Sequence, residues 1–197
     1  MAKLYFHYAT MNAGKSAYLL QANHNYTSQG MRTILLSPSI DTRSGEGQIS
    51  SRIGIDAPCI KLMPDDDPFD VVFPQVLKSD SALRCVFVDE AQFLSASQVV
   101  SLARIVDELS TPVMCFGLRT DFKGNLFEGS ERLFCLADEI REIRAVCWCG
   151  KRATMVLRTD QNGQVVKEGE SVQVGGDDMY KSVCRKHWVD QKTGHNH

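Results

Sequence analysis

Four short runs of consecutive apolar residues punctuate the first two thirds of this chain: Lys3–Tyr8, Arg32–Leu36, Cys85–Val88 and Pro112–Gly117. Continuous rather than alternating hydrophobicity fits strands covered on both faces, as in a parallel sheet. Between the first two runs, Lys15 to about Gln29 reads as a helix, stopped at Gly30 by a residue suited to a left-handed cap. That strand–helix–strand spacing predicts parallel neighbours joined by a right-handed crossover. A second helix is announced by the capping-box pair Ser95 and Gln98, with Val99, Leu102, Ala103, Val106 and Leu109 recurring on one face as core positions. Ser37–Pro68 is too rich in Ser, Gly, Asp and Pro for regular core elements, and its Pro64-Asp65-Asp66-Asp67-Pro68 run reads as a solvated turn, with a metal site as the alternative. Arg119–Asn125 reads as a polar loop. After about Val146 the texture changes to short apolar pieces broken by Asn162-Gly163, Gly169 and Gly175-Gly176, the pattern of a small β-rich appendix. No internal repeat is evident.

The chain is long enough for one α/β domain and a small second unit: 197 residues, 43% apolar and 23% charged. A formal net charge of −2 and no clustered Lys/Arg stripe argue against bulk nucleic-acid binding and favour a small phosphorylated partner. Met1-Ala2-Lys3 leads straight into a strand-like run, and no apolar stretch approaches the length of a membrane span, so a cytoplasmic location and no membrane partner are expected. Seven cysteines in such a compartment are expected as thiols and metal ligands. Cys59, Cys85, Cys115 and Cys135 read as buried small residues.

Chemistry enters at Ala9-Thr10-Met11-Asn12-Ala13-Gly14-Lys15-Ser16, which follows the first apolar run and ends in the Gly-Lys-Ser of a phosphate-binding loop. Inward-facing backbone N–H groups and a helix N-terminus make such a loop an anion site for a nucleoside triphosphate. Lys15 is expected at the β- and γ-phosphates and Ser16 at the bridging Mg²⁺. Ala9 stands where the motif has Gly, so the loop must be built with a Cβ there. A carboxylate to hold Mg²⁺ beside Ser16 is expected from a strand of the same sheet, and Asp89, ending the third run, is placed for it. Glu90 should alternate to the other side of the strand end, there to accept a proton or align water; its plain alternative is a helix cap. Cys147 and Cys149 with Cys184 and His187 form two tight pairs flanking the β-rich stretch, a donor set suited to closed tetrahedral zinc. A segment so poor in core residues needs such a staple.

Together, Met11–Ser16, Asp41-Thr42-Arg43, Val88-Asp89-Glu90-Ala91-Gln92-Phe93, Gly117-Leu118-Arg119-Thr120-Asp121-Phe122, the cysteine pairs and Gly175-Gly176-Asp177-Asp178-Met179-Tyr180-Lys181-Ser182-Val183-Cys184 resemble the thymidine kinases of the cellular and bacterial type, in order and spacing over nearly the whole chain. The resemblance implies transfer of the γ-phosphate of ATP to the 5′-hydroxyl of thymidine or deoxyuridine, by a homotetramer inhibited by dTTP. It implies that residues 9–16 hold the phosphates, that Asp41, Thr42, Arg43, Asp89, Glu90, Ala91 and Gln92 complete the ATP side, and that Glu90 is the proton acceptor. Phe122 would stack on the base. Ser171, Val172, Gln173, Val174 and Gly175 would close over it through backbone groups, with Tyr180 alongside. The expected architecture is an α/β fold, a P-loop parallel sheet flanked by helices over residues 1–145, followed by a zinc-ribbon-like unit over 146–197 that carries the nucleoside loop. Ala9-Thr10 replaces a common Gly-Pro, and the first cysteine pair is tighter than usual. Two other classes share parts of this pattern. A nucleic-acid-dependent ATPase with a zinc ribbon would need a more basic surface, and a nucleotide-binding module without turnover would need Glu90 to be only a cap.

Overall fold

The computed structural model describes residues 1–41, 47–78, 81–169 and 179–194. The four apolar runs become β1 (Leu4–Ala9), β2 (Arg32–Pro38), β6 (Leu83–Val88) and β7 (Val113–Leu118). With β5 (Ile60–Leu62) and β8 (Glu139–Glu142) they form a six-stranded sheet in the order β5-β2-β6-β7-β1-β8. Every pairing in it is parallel. The continuous hydrophobicity is explained by helices on both faces. Cys85 and Phe87 pack towards α1 (Lys15–Thr27) with Leu19, Leu20 and Phe116. Val86 and Val88 pack the other way, with Val99, Leu102 and Ile105 of α3 (Ala96–Leu109) and Leu133 of α4 (Glu128–Leu136).

The crossover through α1 joins parallel strands, but they are not neighbours: β7 and β6 lie between β1 and β2. The spacing of a strand–helix–strand unit limits how far the chain can travel, not which strand fills the gap. The most apolar strands, β6 and β7, take the doubly covered centre. Gly30 has the expected positive φ of 71°, although α1 itself ends at Thr27. The capping box of α3 forms in both directions, Ser95 Oγ accepting from Gln98 N and Gln98 Oε1 from Ser95 N.

The polar stretch Ser37–Pro68 is more regular than its composition predicts. It contains β3 (Gln48–Ser50), antiparallel to β4 (Asp56–Pro58), and then β5, with Ile49 and Leu62 buried. Three-residue strands are too short to leave a periodic signal, and their order comes from contacts with α1 and β2. The acidic run is a turn as expected. Asp66 accepts from Met63 N, and Asp67 caps α2 (Pro68–Leu77) by accepting from Phe69 N. Neither α2, with Pro74 inside it, nor the nine-residue α4 stands out in the hydrophobic pattern. Cys135 on α4 is exposed and Cys59 half-buried, against expectation, while Cys85 and Cys115 are buried. Leu133 takes the core-facing position of α4, and two residues along a helix turn the side chain by about 200°.

Beyond Ile143 the chain forms β9 (Ala145–Val146) paired with β10 (Arg152–Ala153), and a three-stranded antiparallel sheet in the order β12-β11-β13. Its strands are β11 (Met155–Thr159), β12 (Val165–Val166) and β13 (Tyr180–Val183), followed by α5 (Arg185–Val189). The Asn162-Gly163 hairpin forms as expected between β11 and β12, its tip held by Asp160, whose carboxylate accepts from Asn162 N and Gln164 N. This unit has its own small core of Ala153, Met155, Leu157 and Val183 beside the cysteines.

Candidate active site

At the carboxyl ends of β1 and β6 the chain encloses a cavity of about 430 Å³, walled on one side by Met11, Asn12, Gly14, Lys15 and Ser16. The loop turns inward through two left-handed residues, Asn12 at φ 61° and Gly14 at φ 83°. Gly14 is the residue that needs no Cβ there. Ala9, in contrast, is the buried last residue of β1 with strand geometry, so glycine is not required at the motif's first position. Helix α1 starts at Gly14 with no side-chain cap and no acidic residue in its first turn, which leaves its N-terminal N–H groups for an anion. Thr10 Oγ1 is buried without a partner among the described residues, and Ala13 lines a neighbouring cavity.

Asp89 and Glu90 line the same cavity. Ser16 Oγ donates to Asp89 Oδ2 at 2.8 Å, joining the phosphate loop to the end of β6 across 73 residues of sequence. Asp89 Oδ1 is buried and has no hydrogen-bond partner among the described residues. Burial, then the neighbouring Glu90 carboxylate, pushes Asp89 well above the ordinary carboxylate range, against the pull of Ser16 and Lys15. A divalent cation beside Ser16 and Asp89 would relieve both the orphaned oxygen and the crowding of charge, so these residues fit Mg²⁺.

Glu90 does not alternate to the far side of the strand. Its backbone turns left-handed, φ 48° and ψ 38°, and this sets its carboxylate in the same cavity wall as Asp89. The reversal starts a single 3₁₀ turn, Ala91–Phe93, whose Phe93 N donates to Glu90 O at 3.0 Å. Ala91 and Gln92 lie behind the wall: Ala91 is core, and the Gln92 side chain bonds Glu90 and Leu118 N. The start of α4 presses on this turn, since a Cβ on Gly129 would meet the carbonyl oxygens of Ala91 and, at 2.8 Å, Leu94. Gly129→Ala is therefore expected to destabilise the protein by about 1–3 kcal/mol. Unchanged denaturant midpoint and turnover would show that the turn yields at no cost.

Ser50 at the end of β3 and Ser51, Arg52 and Ile53 in the β3–β4 turn also line the cavity, and none of them carried a signal in the motifs. Buried Ile49 packs this hairpin on α1 and holds the turn over the phosphate loop. Asp41 is buried at the cavity, its carbonyl accepting from Lys61 Nζ at 2.8 Å. Thr42 and Arg43 lie outside the described residues, as do Ser171, Val172, Gln173, Val174 and Gly175.

Phe122, Val156 and Tyr180 form a buried cluster against Met11, which also lines the cavity. The Arg158 guanidinium sits 4.7 Å from the Phe122 ring centroid. Ser182 Oγ donates to Met11 O at 2.6 Å, so β13 is tied directly to the phosphate loop.

The four predicted metal ligands do meet. Cys147, Cys149, Cys184 and His187 place their ligand atoms within 4.8 Å of one another. His187 Nδ1 lies 3.4 Å from both Cys147 Sγ and Cys184 Sγ, and Cys149 Sγ lies 4.0 Å from Cys184 Sγ. Tetrahedral Zn–S and Zn–N bond lengths require edges of about 3.8 and 3.6 Å, so the donor set fits zinc. The turn Cys147–Gly150 presents the first pair, and Cys184 opens α5, which carries His187. Trp148 stacks on His187 at 4.1 Å between centroids and fixes the imidazole plane.

The family model for thymidine kinase matches residues 2–188. The chain belongs to the thymidine kinase family. It is 55% identical to a thymidine kinase of Ruegeria pomeroyi, over 95% of this chain and 94% of that protein. The thymidine kinase of Rhizobium etli is 53% identical, over 98% of this chain and 96% of that one, and the thymidine kinase of Salmonella choleraesuis is 47% identical over 96% and 92%. Membership of the thymidine kinase family implies ATP and Mg²⁺ as co-reactants. No helix among the described residues is long and apolar enough to cross a membrane.

Proposed function

We propose that this chain is an ATP-dependent thymidine kinase that converts thymidine to dTMP. The observation that carries this reading is the meeting of the phosphate loop with Asp89 and Glu90 in one cavity, in a chain that matches the family along nearly its whole length. Bound ATP with Mg²⁺ supplies the transferable phosphoryl group and neutralises its charge. Backbone N–H groups of residues 11–16 and the Lys15 ammonium would bind the phosphates, while Ser16 and the orphaned oxygen of Asp89 would hold the metal. Glu90, buried in the cavity wall, takes the proton of the 5′-hydroxyl.

The nucleoside lies on the side of Met11 that faces Phe122 and Tyr180. Phe122 supplies an aromatic plane, and the backbone of 171–175 reads the imide edge of thymine, a division supported by the family resemblance. Backbone groups matched to an imide meet the wrong donors and acceptors in cytosine. Thymidine and deoxyuridine are therefore expected to be acceptors, with deoxycytidine about ten- to a hundredfold poorer in kcat/KM. A panel of nucleosides with ATP and Mg²⁺, with DNA and RNA added as competing stimulants, tests this. Comparable kcat/KM for deoxycytidine and thymidine refutes the base reading, and stimulation by nucleic acid refutes the kinase.

Residues 146–197 act as a zinc-held unit that positions the nucleoside loop against the ATP-binding residues 1–145. The donor geometry of Cys147, Cys149, Cys184 and His187 supports a structural Zn²⁺. The family resemblance further supports a homotetramer in the cytoplasm, inhibited by dTTP.

A further inference from the structure

Gln92 falls in the stretch assigned by resemblance to the nucleotide, yet it does not line the cavity of Lys15, Ser16, Asp89 and Glu90. It is 2% exposed and both ends of its amide are engaged: Nε2 donates to Glu90 Oε2, and Oε1 accepts from Leu118 N at 2.9 Å. The orientation of this amide is dictated by its partners. A backbone N–H can only donate, so Leu118 takes the amide oxygen and leaves the NH₂ for the carboxylate. β7 makes room for the arrangement, because a Cβ on Gly117 would lie 3.0 Å from Gln92 Oε1 and 3.1 Å from Gln92 N.

Glu90 needs such a restraint. Its left-handed backbone takes it out of the strand, so the pleat no longer sets its direction, and its side chain has three torsions to fix. Asp89 repels it, and Lys15, Arg52 and Asp41 are the other charged residues lining the same cavity. The neighbouring end of β7 brings no competing cation, since Arg119 turns its guanidinium to Thr154 O and Met155 Sδ.

We propose that Gln92 is a positioning residue, a bracket between the end of β7 and Glu90 that aims the carboxylate at the acceptor hydroxyl, and not a contact of the nucleotide. The proposal rests on Glu90 being the proton acceptor. A base held a fraction of an ångström off its line loses much of its advantage, so removing the bracket should act on turnover and spare binding.

Two substitutions in the full-length enzyme separate the functions of the amide. Gln92→Glu keeps length and an acceptor for Leu118 N–H but replaces the donor, while Gln92→Met keeps length alone. Each is measured for kcat, for KM of thymidine and ATP, and for direct affinity for ATP without thymidine. The expected result is a fall in kcat of about 10- to 100-fold in both, with ATP affinity and both KM values within about twofold of the parent. Gly117→Ala, which pushes on the amide from behind, is expected to lower kcat in the same direction, and with Gln92→Glu it carries the test should Gln92→Met not fold. Weakened ATP affinity with kcat preserved would overturn the proposal and return Gln92 to the nucleotide. Normal kcat in Gln92→Glu would overturn it as well. Glu90→Gln, run beside them, keeps the two readings apart. If it is inactive while Gln92→Glu is normal, only the bracket fails; if it is itself active, the base assignment fails first.

Discussion

Replacing Glu90 by Gln is expected to lower kcat by about 10²- to 10⁴-fold while leaving the affinity for thymidine nearly unchanged. The substitution keeps size and burial, and its amide oxygen can still accept from Gln92 Nε2, so the turn at Ala91–Phe93 has no reason to move. What disappears is a basic atom in the cavity wall. Asp89→Asn should behave differently, because Asp89 bonds Ser16 and keeps an orphaned oxygen beside the phosphate loop. Its expected signature is a higher Mg²⁺ requirement rather than a uniform loss of turnover. Steady-state kinetics at saturating ATP, Mg²⁺ and thymidine distinguish them. Near-normal turnover of Glu90→Gln would demote the residue to orienting the hydroxyl, which a loose phosphoryl-transfer transition state allows.

Removal of zinc is expected to have the second large effect, confined at first to one part of the molecule. The four ligands join the turn at Cys147–Gly150 to the start of α5, and α5 carries Trp188. Trp188 Nε1 donates to Phe122 O at 3.0 Å, and its ring lies over Gly124, where a Cβ would approach it to 3.2 Å. A metal held by these four ligands would therefore reach the Phe122 loop through one side chain. Stripping it should raise KM for thymidine roughly tenfold or more, with a smaller effect on ATP binding at the phosphate loop. Both tryptophans of the chain, Trp148 and Trp188, belong to this unit. Their emission should shift to the red before the far-ultraviolet signal of the α/β sheet changes. Elemental analysis of protein purified without added metal sets the baseline. Full activity in zinc-free protein, or unaltered tryptophan emission after verified removal, would rule out the staple.

The features legible in the sequence are those whose causes lie within a few residues. The capping box of Ser95 and Gln98, the positive φ at Gly30, the Asp160–Gln164 hairpin and the turn at Pro64–Pro68 each follow from local hydrogen bonding or from backbone freedom at one position. The central strands announce themselves through burial on both faces. The phosphate loop is local too: its N–H groups and its uncapped helix come from one stretch of eight residues. The cysteine and histidine pairs were readable as a donor set, because few structural roles other than metal binding suit that composition.

What the tertiary structure decided is which of these pieces meet. The order of strands places β7 and β6 between β1 and β2, and so sets Asp89, just past the end of β6, against Ser16, a juxtaposition no spacing rule contains. Three-residue strands around Arg52 and the Pro-containing α2 owe their order to surfaces supplied by α1, β2 and α3, so their own residues carry little signal. The side of Glu90 was misjudged by strand alternation for a related reason. Alternation holds while the pleat continues, and Glu90 is where it stops: a left-handed residue, locked by Gln92 to β7 and pressed by Gly129 of α4, turns back into the cavity. Local sequence thus determined the parts and their chemistry. Long-range packing, whose cost and reward involve residues tens of positions apart, determined the distances at which that chemistry is set to act.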